Sequence, residues 1–185
     1  MFEVISDADV PDVVALMNAA YRGSGAAAGW STEAGYIAGD RTTPALLRAE
    51  LADKPHGSFL KWVDASQGGN GRLSGCVWLE PVADGVWYLG SLAADPEQQN
   101  SGLGKTVLRA AEQWVAARGG RRVRMSVVNV RDTLIAWYVR RGYRVTGETE
   151  PFPYGDNRFG TPLRDDLNFV ILEKDLISQK DQAPL

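Results

Sequence analysis

The sequence has little of what a metal centre, a disulfide scaffold or a nucleic-acid surface requires. It holds one cysteine, Cys76, and one histidine, His56, among 185 residues. One cysteine excludes an intrachain disulfide and suits a reducing compartment. A lone cysteine with a lone histidine leaves a transition metal without its usual ligands, so no metal is expected. The basic excess that holds nucleic acid is missing: 20 Lys and Arg stand against 23 Asp and Glu, a formal net charge of −3. No apolar run approaches the ~20 residues of a membrane span. The stretch Met1–Asp9 carries acids where a secretory leader starts basic. A cytoplasmic protein with neither nucleic acid nor membrane as partner is the expectation.

The rest of the composition is that of a soluble globular chain, long enough for one mixed domain with a core or two very small ones. Phe2–Ile5 reads as a strand, and Asp7 or Asp9 as the cap of a helix that buries Val10, Val13, Val14 and Met17. Arg22–Trp30, rich in Gly and Ala, reads as a mobile loop. A short helix follows at Pro44–Leu51. Ser58–Asp64 and Arg72–Glu80 form an antiparallel hairpin around a turn at Ser66–Gly71. Asp84-Gly85 is another turn, and Val86–Ala94 a strongly apolar strand. The pattern then changes. Gly102–Arg118 has the spacing of a helix with one buried face, Arg122–Val128 is a strand, Asp132–Arg141 a helix, and Tyr143–Glu148 and Leu167–Leu172 are strands. A Pro/Gly-rich loop occupies 151–162. The order predicts an α+β fold, a single domain over 1–175 with a mixed sheet, and a polar tail at 176–185.

The most informative stretch is Leu92-Ala-Ala-Asp-Pro-Glu-Gln-Gln-Asn-Ser-Gly-Leu-Gly-Lys-Thr106. A strand ends, Pro96 breaks its ladder, and a polar, glycine-containing turn opens a long helix. The first turn of a helix offers unpaired N–H groups and partial positive charge, which suit a phosphate. Glycine at 102 and 104 lets the phosphate come close, and Lys105 and Arg109 add charge. Gly102-Leu-Gly-Lys-Thr106 is also the tail of a nucleotide-binding P-loop, but Gln99 stands where that motif needs its first glycine. A bare Gly-x-Gly makes only a tight turn. The strand, proline, amide and apolar helix around this one point further.

Here the sequence resembles the GNAT superfamily of N-acetyltransferases, whose cofactor motif is Gln/Arg-x-x-Gly-x-Gly/Ala between a strand and a helix. Gln99, Gly102 and Gly104 match in register. The resemblance implies a GNAT-like acyl-CoA N-acyltransferase fold, its twisted, mostly antiparallel sheet flanked by helices and splayed between the strands at 86–94 and 122–128. It implies acetyl-CoA as cofactor. Leu92, Ala93 and Ala94 would pair with the pantetheine arm, one N–H facing the thioester carbonyl. Gln99, Asn100, Ser101, Gly102, Leu103, Gly104, Lys105 and Thr106 would wrap the pyrophosphate.

A second stretch, Asn129-Val-Arg-Asp-Thr-Leu-Ile-Ala-Trp-Tyr-Val-Arg-Arg-Gly-Tyr143, resembles the family's other signature, an Asn after a strand and then a helix ending Tyr-x-x-x-Gly-Phe/Tyr. Tyr138, Gly142 and Tyr143 fit that ending. The usual Asn slot holds Arg131, with Asn129 two residues earlier, so either meets the cofactor. The resemblance makes Tyr138 the residue that hydrogen-bonds and protonates the departing thiolate. A free phenol near pKa 10 is a weaker acid than a thiol near about 8.5, so full proton transfer needs a shifted site, whereas a hydrogen bond does not. Arg140 and Arg141 reach phosphate or simply face solvent.

The resemblance implies that the acceptor is a primary amine of a small molecule or a peptide, attacking directly in a ternary complex. Its proton needs a base, and Glu33, Glu80, Glu148, Glu150, Asp156 and water all qualify, with Glu33 taken as the candidate because it lies between the first two helices, a region that borders the acceptor in the family. Trp30, Glu33, Tyr36, Arg41 and Tyr154, with Phe152 and Phe159, are candidates for the acceptor pocket. Acids near these loops suit a cationic amine, and Arg41, Arg158 and Arg164 suit a carboxylate. Cys76 reads as core and His56 as surface. Other readings are a non-catalytic acyl-CoA-binding sensor and a P-loop-like nucleotide binder. The oligomeric state, homodimer included, stays open.

Overall fold

The computed structural model describes residues 1–23, 29, 32–64 and 71–176. Strands form where β-branched and aromatic residues concentrate: β1 (Phe2–Val4), β2 (Ile37–Ala38), β3 (Ser58–Asp64), β4 (Arg72–Ala83), β5 (Val86–Ala94), β6 (Arg122–Val128), β7 (Arg144–Pro151), β8 (Thr161–Pro162) and β9 (Asn168–Asp175). The helices are α1 (Val10–Arg22), α2 (Pro44–Asp53), α3 (Leu103–Ala116) and α4 (Asp132–Val139). Seven strands make one sheet in the order β1-β3-β4-β5-β6-β9-β7, and β2 pairs with β8 apart from it. Every neighbouring pair in the large sheet is antiparallel except β5–β6. This is the mixed α+β sheet that the order of elements predicts.

Alternation along β3 and β4 divides their side chains between two cores. Leu60, Val77 and Leu79 join Leu108, Ala111 and Val115 of α3 on one face. Phe59, Cys76 and Trp78 meet Val13, Met17 and Leu47 of α1 and α2 on the other. Burying each of these large side chains contributes roughly 1.5–3 kcal/mol over leaving it exposed. That stripe holds α3 in place, so its glycine-opened start is free to serve something else.

Three details differ from the sequence reading. Asp9 does not cap α1 with its side chain; it enters a turn at Asp7–Asp9 and accepts from the N–H and hydroxyl of Ser6, both at 2.7 Å. Gly102 is the residue before α3 and not its first turn. The β2–β8 pair is new: two residues are too few to show a period, yet Leu163 N–H donates to the Tyr36 carbonyl at 2.9 Å and draws the 151–162 loop against the segment after α1. Most of the expected loop at Arg22–Trp30, the turn at Ser66–Gly71 and the tail after Leu176 lie outside the described residues. Among the described residues no helix is long and apolar enough to cross a membrane.

Candidate active site

β5 and β6 run side by side for only three residue pairs, Val86 with Arg122, Trp87 with Val123 and Tyr88 with Arg124, and then part. A bulge in β5 marks the parting. Cys76 pairs with Ala93 and Trp78 with Gly90, so Ser91 and Leu92 together oppose Val77, and Ser91 takes a φ of +48°. A bulge bends its strand and sharpens the twist. Asp95 N–H donates to the Ser74 carbonyl at 2.8 Å. Backbone groups alternate between the edges of a strand, so those of Ala94 turn the opposite way, into the gap. The hydroxyls of Tyr88 and Ser126 meet across it at 3.0 Å, just beyond the last backbone pair.

Below the gap, α3 opens after Gly102, whose φ of +82° is left-handed and favours glycine. The N–H of Leu103 goes to Ser101 Oγ at 3.2 Å and that of Thr106 to the Gly102 carbonyl at 3.0 Å. Gly104 and Lys105 keep first-turn amides with no helical carbonyl behind them. A Cβ built on Gly102 meets nothing within 4 Å, and one on Gly104 meets only Trp137, at 3.7 Å. The side-chain space at Gly102 is open, and that at Gly104 is bounded by the Trp137 indole. An anion of phosphate size fits it by charge and by room. Lys105, Arg140 and Arg141 also line the cleft.

Tyr138 sits on α4, 5% exposed as a residue, with its ring edge-on to Trp137 at 5.0 Å and to Tyr143 at 5.5 Å. Its hydroxyl has no hydrogen-bond partner among the described residues, and the side chain lines the cleft between the parted strands. Burial pushes its phenol up to about 12, against the pull of the Arg131 guanidinium. The group therefore stays a donor at any physiological pH. The Cys76 thiol, wholly buried, is likewise pushed up to about 12 by burial and is no nucleophile at neutral pH.

The largest departure from expectation concerns Glu33. It is buried, and its two carboxylate oxygens are taken by two guanidinium groups: Oε2 by Arg22 and Oε1 by Arg131, the latter at 2.8 Å. A carboxylate held in this way is a clamp between the end of α1 and the start of α4. Of the two candidates before α4, only Arg131 lines the cleft. The Asn129 amide donates to the Asp166 carbonyl at 3.0 Å and accepts from Asn168 N–H at 3.1 Å, tying β6 to the start of β9.

The remaining candidates divide. Leu92, Ala93, Ala94, Gln99, Asn100, Leu103 and Arg41 face the cleft, whereas Ser101 and Thr106 lie off its wall. Tyr154 also lies off it: its hydroxyl bridges the Arg164 carbonyl at 3.0 Å and Leu167 N–H at 2.8 Å, holding its own loop closed. Tyr36 packs against the Ile37–Val128–Leu167 cluster, and burial raises its pKa. Trp30 lies outside the described residues. Of the other acids, Glu150 lines the cleft, Glu148 pairs with Arg124 and Asp156 with Arg158, and Glu80 accepts from Lys54 and from the Trp78 indole. Sequence reasoning missed Tyr21, Arg22, Tyr88 and Ser126. Tyr21 lies four residues past Met17, on the same helical stripe, so the period alone reaches it. Nothing in the sequence pairs Tyr88 with Ser126.

The cleft measures about 860 Å³, room for a nucleotide-sized ligand and a small second molecule. Three solved structures share the architecture. The ribosomal-protein-S18-alanine N-acetyltransferase of Escherichia coli superposes with a TM-score of 0.66, at 14% identity over 100% of this chain and 99% of that one. The PaiA N-acetyltransferase of Thermoplasma acidophilum, solved with coenzyme A, gives 0.65 at 19% identity, over 95% of this chain and 98% of that one. A GNAT family acetyltransferase of Elizabethkingia anophelis, solved with acetyl-CoA, gives 0.54 at 17%, over 72% and 84%. At these identities the likeness is one of fold. No curated protein matches the chain in sequence. The family model described as Acetyltransferase (GNAT) family matches residues 26–143. That span starts beyond α1, runs to Tyr143 and takes in both the glycine-opened turn and the whole of α4; the chain belongs to the acetyltransferase (GNAT) family.

Proposed function

We propose that the protein transfers the acetyl group of acetyl-CoA to a primary amine of a small molecule or a peptide, by direct attack with both partners bound. Acetyl transfer is the chemistry of the family, and two neighbours of the same fold were solved with coenzyme A or its acetyl ester. The observation that carries the reading is the start of α3, where a left-handed Gly102, at which an added Cβ would meet nothing within 4 Å, precedes the first-turn amides of Gly104 and Lys105. The seven-stranded sheet draws on strands from Phe2 to Asp175, which supports reading 1–175 as one catalytic domain.

Acetyl-CoA supplies an activated thioester. The chain's own residues do the rest. The amides of Gly104 and Lys105 hold the pyrophosphate, with Lys105, Arg140 and Arg141 adding charge around it. The edge of β5 at Leu92 to Ala94 presents backbone donors and acceptors to the extended arm, in the place that β6 vacates. Tyr138 keeps its proton and donates a hydrogen bond to the departing sulfur. Its high pKa makes full proton transfer to a thiolate uphill, so the hydrogen bond is its contribution. With Glu33 clamped by Arg22 and Arg131, we assign it to positioning Arg131 on the cleft wall, and the proton of the amine goes to water.

Calorimetry with coenzyme A, and thiol release from acetyl-CoA across a panel of amines, test this together. Binding with thiol release supports the enzyme. Binding without release from any amine identifies a binding module, and no binding ends both readings.

A further inference from the structure

We propose that the acceptor amine carries a carboxylate, and that Arg41 is the residue that binds it; the inference rests on the acetyl-transfer reading above. The Arg41 guanidinium stands on the cleft wall between two rings, 5.6 Å from the centroid of Tyr21 and 4.9 Å from that of Phe159. Aromatic faces attract the flat of a guanidinium and leave its in-plane N–H fork for another partner. Among the described residues that partner is missing. Arg41 makes no ion pair with them, and its Nη1 is buried with no hydrogen-bond acceptor. A buried cationic donor left unpaired is costly, so the site suits an anion that the described residues do not supply.

The other cations around the acceptor end are neutralised. Arg22 and Arg131 are held by Glu33, Lys54 by Glu80 at 3.0 Å, and Arg158 by Asp156 at 2.6 Å. Arg141 lies with the start of α3, stacked 3.5 Å from the Trp137 ring, which also flanks Gly104. One unpaired guanidinium, with the Glu50 carboxylate also on the cleft wall, suits a singly charged anion better than a dianion.

The backbone under Arg41 is fixed as a recognition residue requires. Asn18 Oδ1 accepts from the N–H groups of Arg41 at 2.8 Å and Thr42 at 3.2 Å, and Asn18 Nδ2 returns a bond to the Thr42 carbonyl at 3.0 Å. The Tyr21 ring under Arg41 is in turn bonded through its hydroxyl to Leu92 in the bulged strand. A carboxylate on Arg41 is thereby referenced to the strand edge that faces the thioester. Phe159 lies against Arg41, and Trp78 and Phe59 also line the cleft, which suits an amino acid or close analogue with an apolar or aromatic body.

Matched acceptors test the proposal: free amino acids against their primary amides and their decarboxylated amines. Wild type should prefer the acids by ~30-fold or more in kcat/KM, because a site built to hydrogen-bond a group rejects analogues that lack it. Arg41→Gln should collapse that ratio through KM for the acid, with KM for acetyl-CoA unmoved, and Arg41→Lys should fall between. Amides or decarboxylated amines used as well as the acids by wild type would overturn the proposal and leave acetyl transfer standing. A ratio that survives Arg41→Gln would do the same. Silence from every amine would count against the acetyl-transfer reading instead. In that case calorimetry of N-acetyl amino acids and their amides on the CoA-loaded protein decides: binding of the acids alone, lost in Arg41→Gln, supports the carboxylate site, and equal or absent binding overturns it.

Discussion

Tyr21 and Leu92, 71 positions apart, are joined by one hydrogen bond: the Tyr21 hydroxyl donates to the Leu92 carbonyl at 2.9 Å. It secures α1 to the strand at its bulge, where β6 no longer does. Tyr21→Phe removes the donor and leaves that carbonyl unpaired, at a cost of about 1–2 kcal/mol. A urea titration should show a lower midpoint with an unchanged slope. Calorimetry should show coenzyme A bound several-fold more weakly. Full affinity in the variant would confine the bond to folding.

Gly102→Val and Gly119→Val form a matched pair. Both glycines have a φ of +82°, and at neither does an added Cβ meet anything within 4 Å. A left-handed conformation costs a residue with a side chain roughly 1–2 kcal/mol, so both variants should lose similar stability. Only Gly102 stands beside the free amides of α3. Coenzyme A affinity should fall at least ~10-fold in Gly102→Val and stay put in Gly119→Val, since one branched side chain blocks the helix start and the other does not. Equal losses would mean that strain alone matters.

Tyr138→Phe should lower turnover by about 10- to 100-fold while leaving coenzyme A affinity near wild type. The pH behaviour follows from the raised pKa. The ordinary phenol value is 10.0 and the folded one about 12, so folding favours the protonated ring. Its contribution to stability is whole below pH 10 and is lost as pH rises through about 12. Denaturation midpoints measured upward from pH 9 should therefore fall less steeply in the variant. An alkaline limb in the activity profile below pH 9 would have to come from another group.

Glu33→Gln leaves two guanidinium groups, each with a side chain less than 10% exposed, facing a neutral amide. Losing one partner of a buried pair costs about 3–5 kcal/mol, and urea denaturation should register much of that. Glu97→Gln, which breaks the exposed pair with Arg72, should leave the midpoint where it is. If Glu33→Gln instead kept its stability and lost its turnover, Glu33 would be the base after all.

How much of this is legible in the sequence depends on how local the signal is. β3, β5 and β6 fall on the predicted residues because each is an apolar or alternating run bounded by turn chemistry. The phosphate end of the site is equally local, since glycine, amide and helix start lie within eight residues. The acceptor end is not. Glu33 reads as a free acid until Arg131, 98 positions away, closes on it. Asn129 reads as a cofactor ligand until β9 returns to claim its amide. Tyr154 reads as pocket until its hydroxyl is found closing its own loop. Arg158 and Arg164 have their acids only two residues away, at Asp156 and Asp166, but a neighbouring acid is no proof of pairing: Asp40 adjoins Arg41 and forms no ion pair with it among the described residues. Charge partners across loops carry no period, so pattern reading cannot assign them.

The short seam between β5 and β6 has a mechanical consequence. Three rungs join one wing of the sheet, carrying β1, β3 and β4, to the other, carrying β9 and β7. Whatever lies in the notch touches both wings and acts as a further set of rungs. Occupancy of the notch then does more than deliver a reactant: it splints the molecule along its weakest line, so that amides on either side of the seam exchange with solvent more slowly when the notch is full.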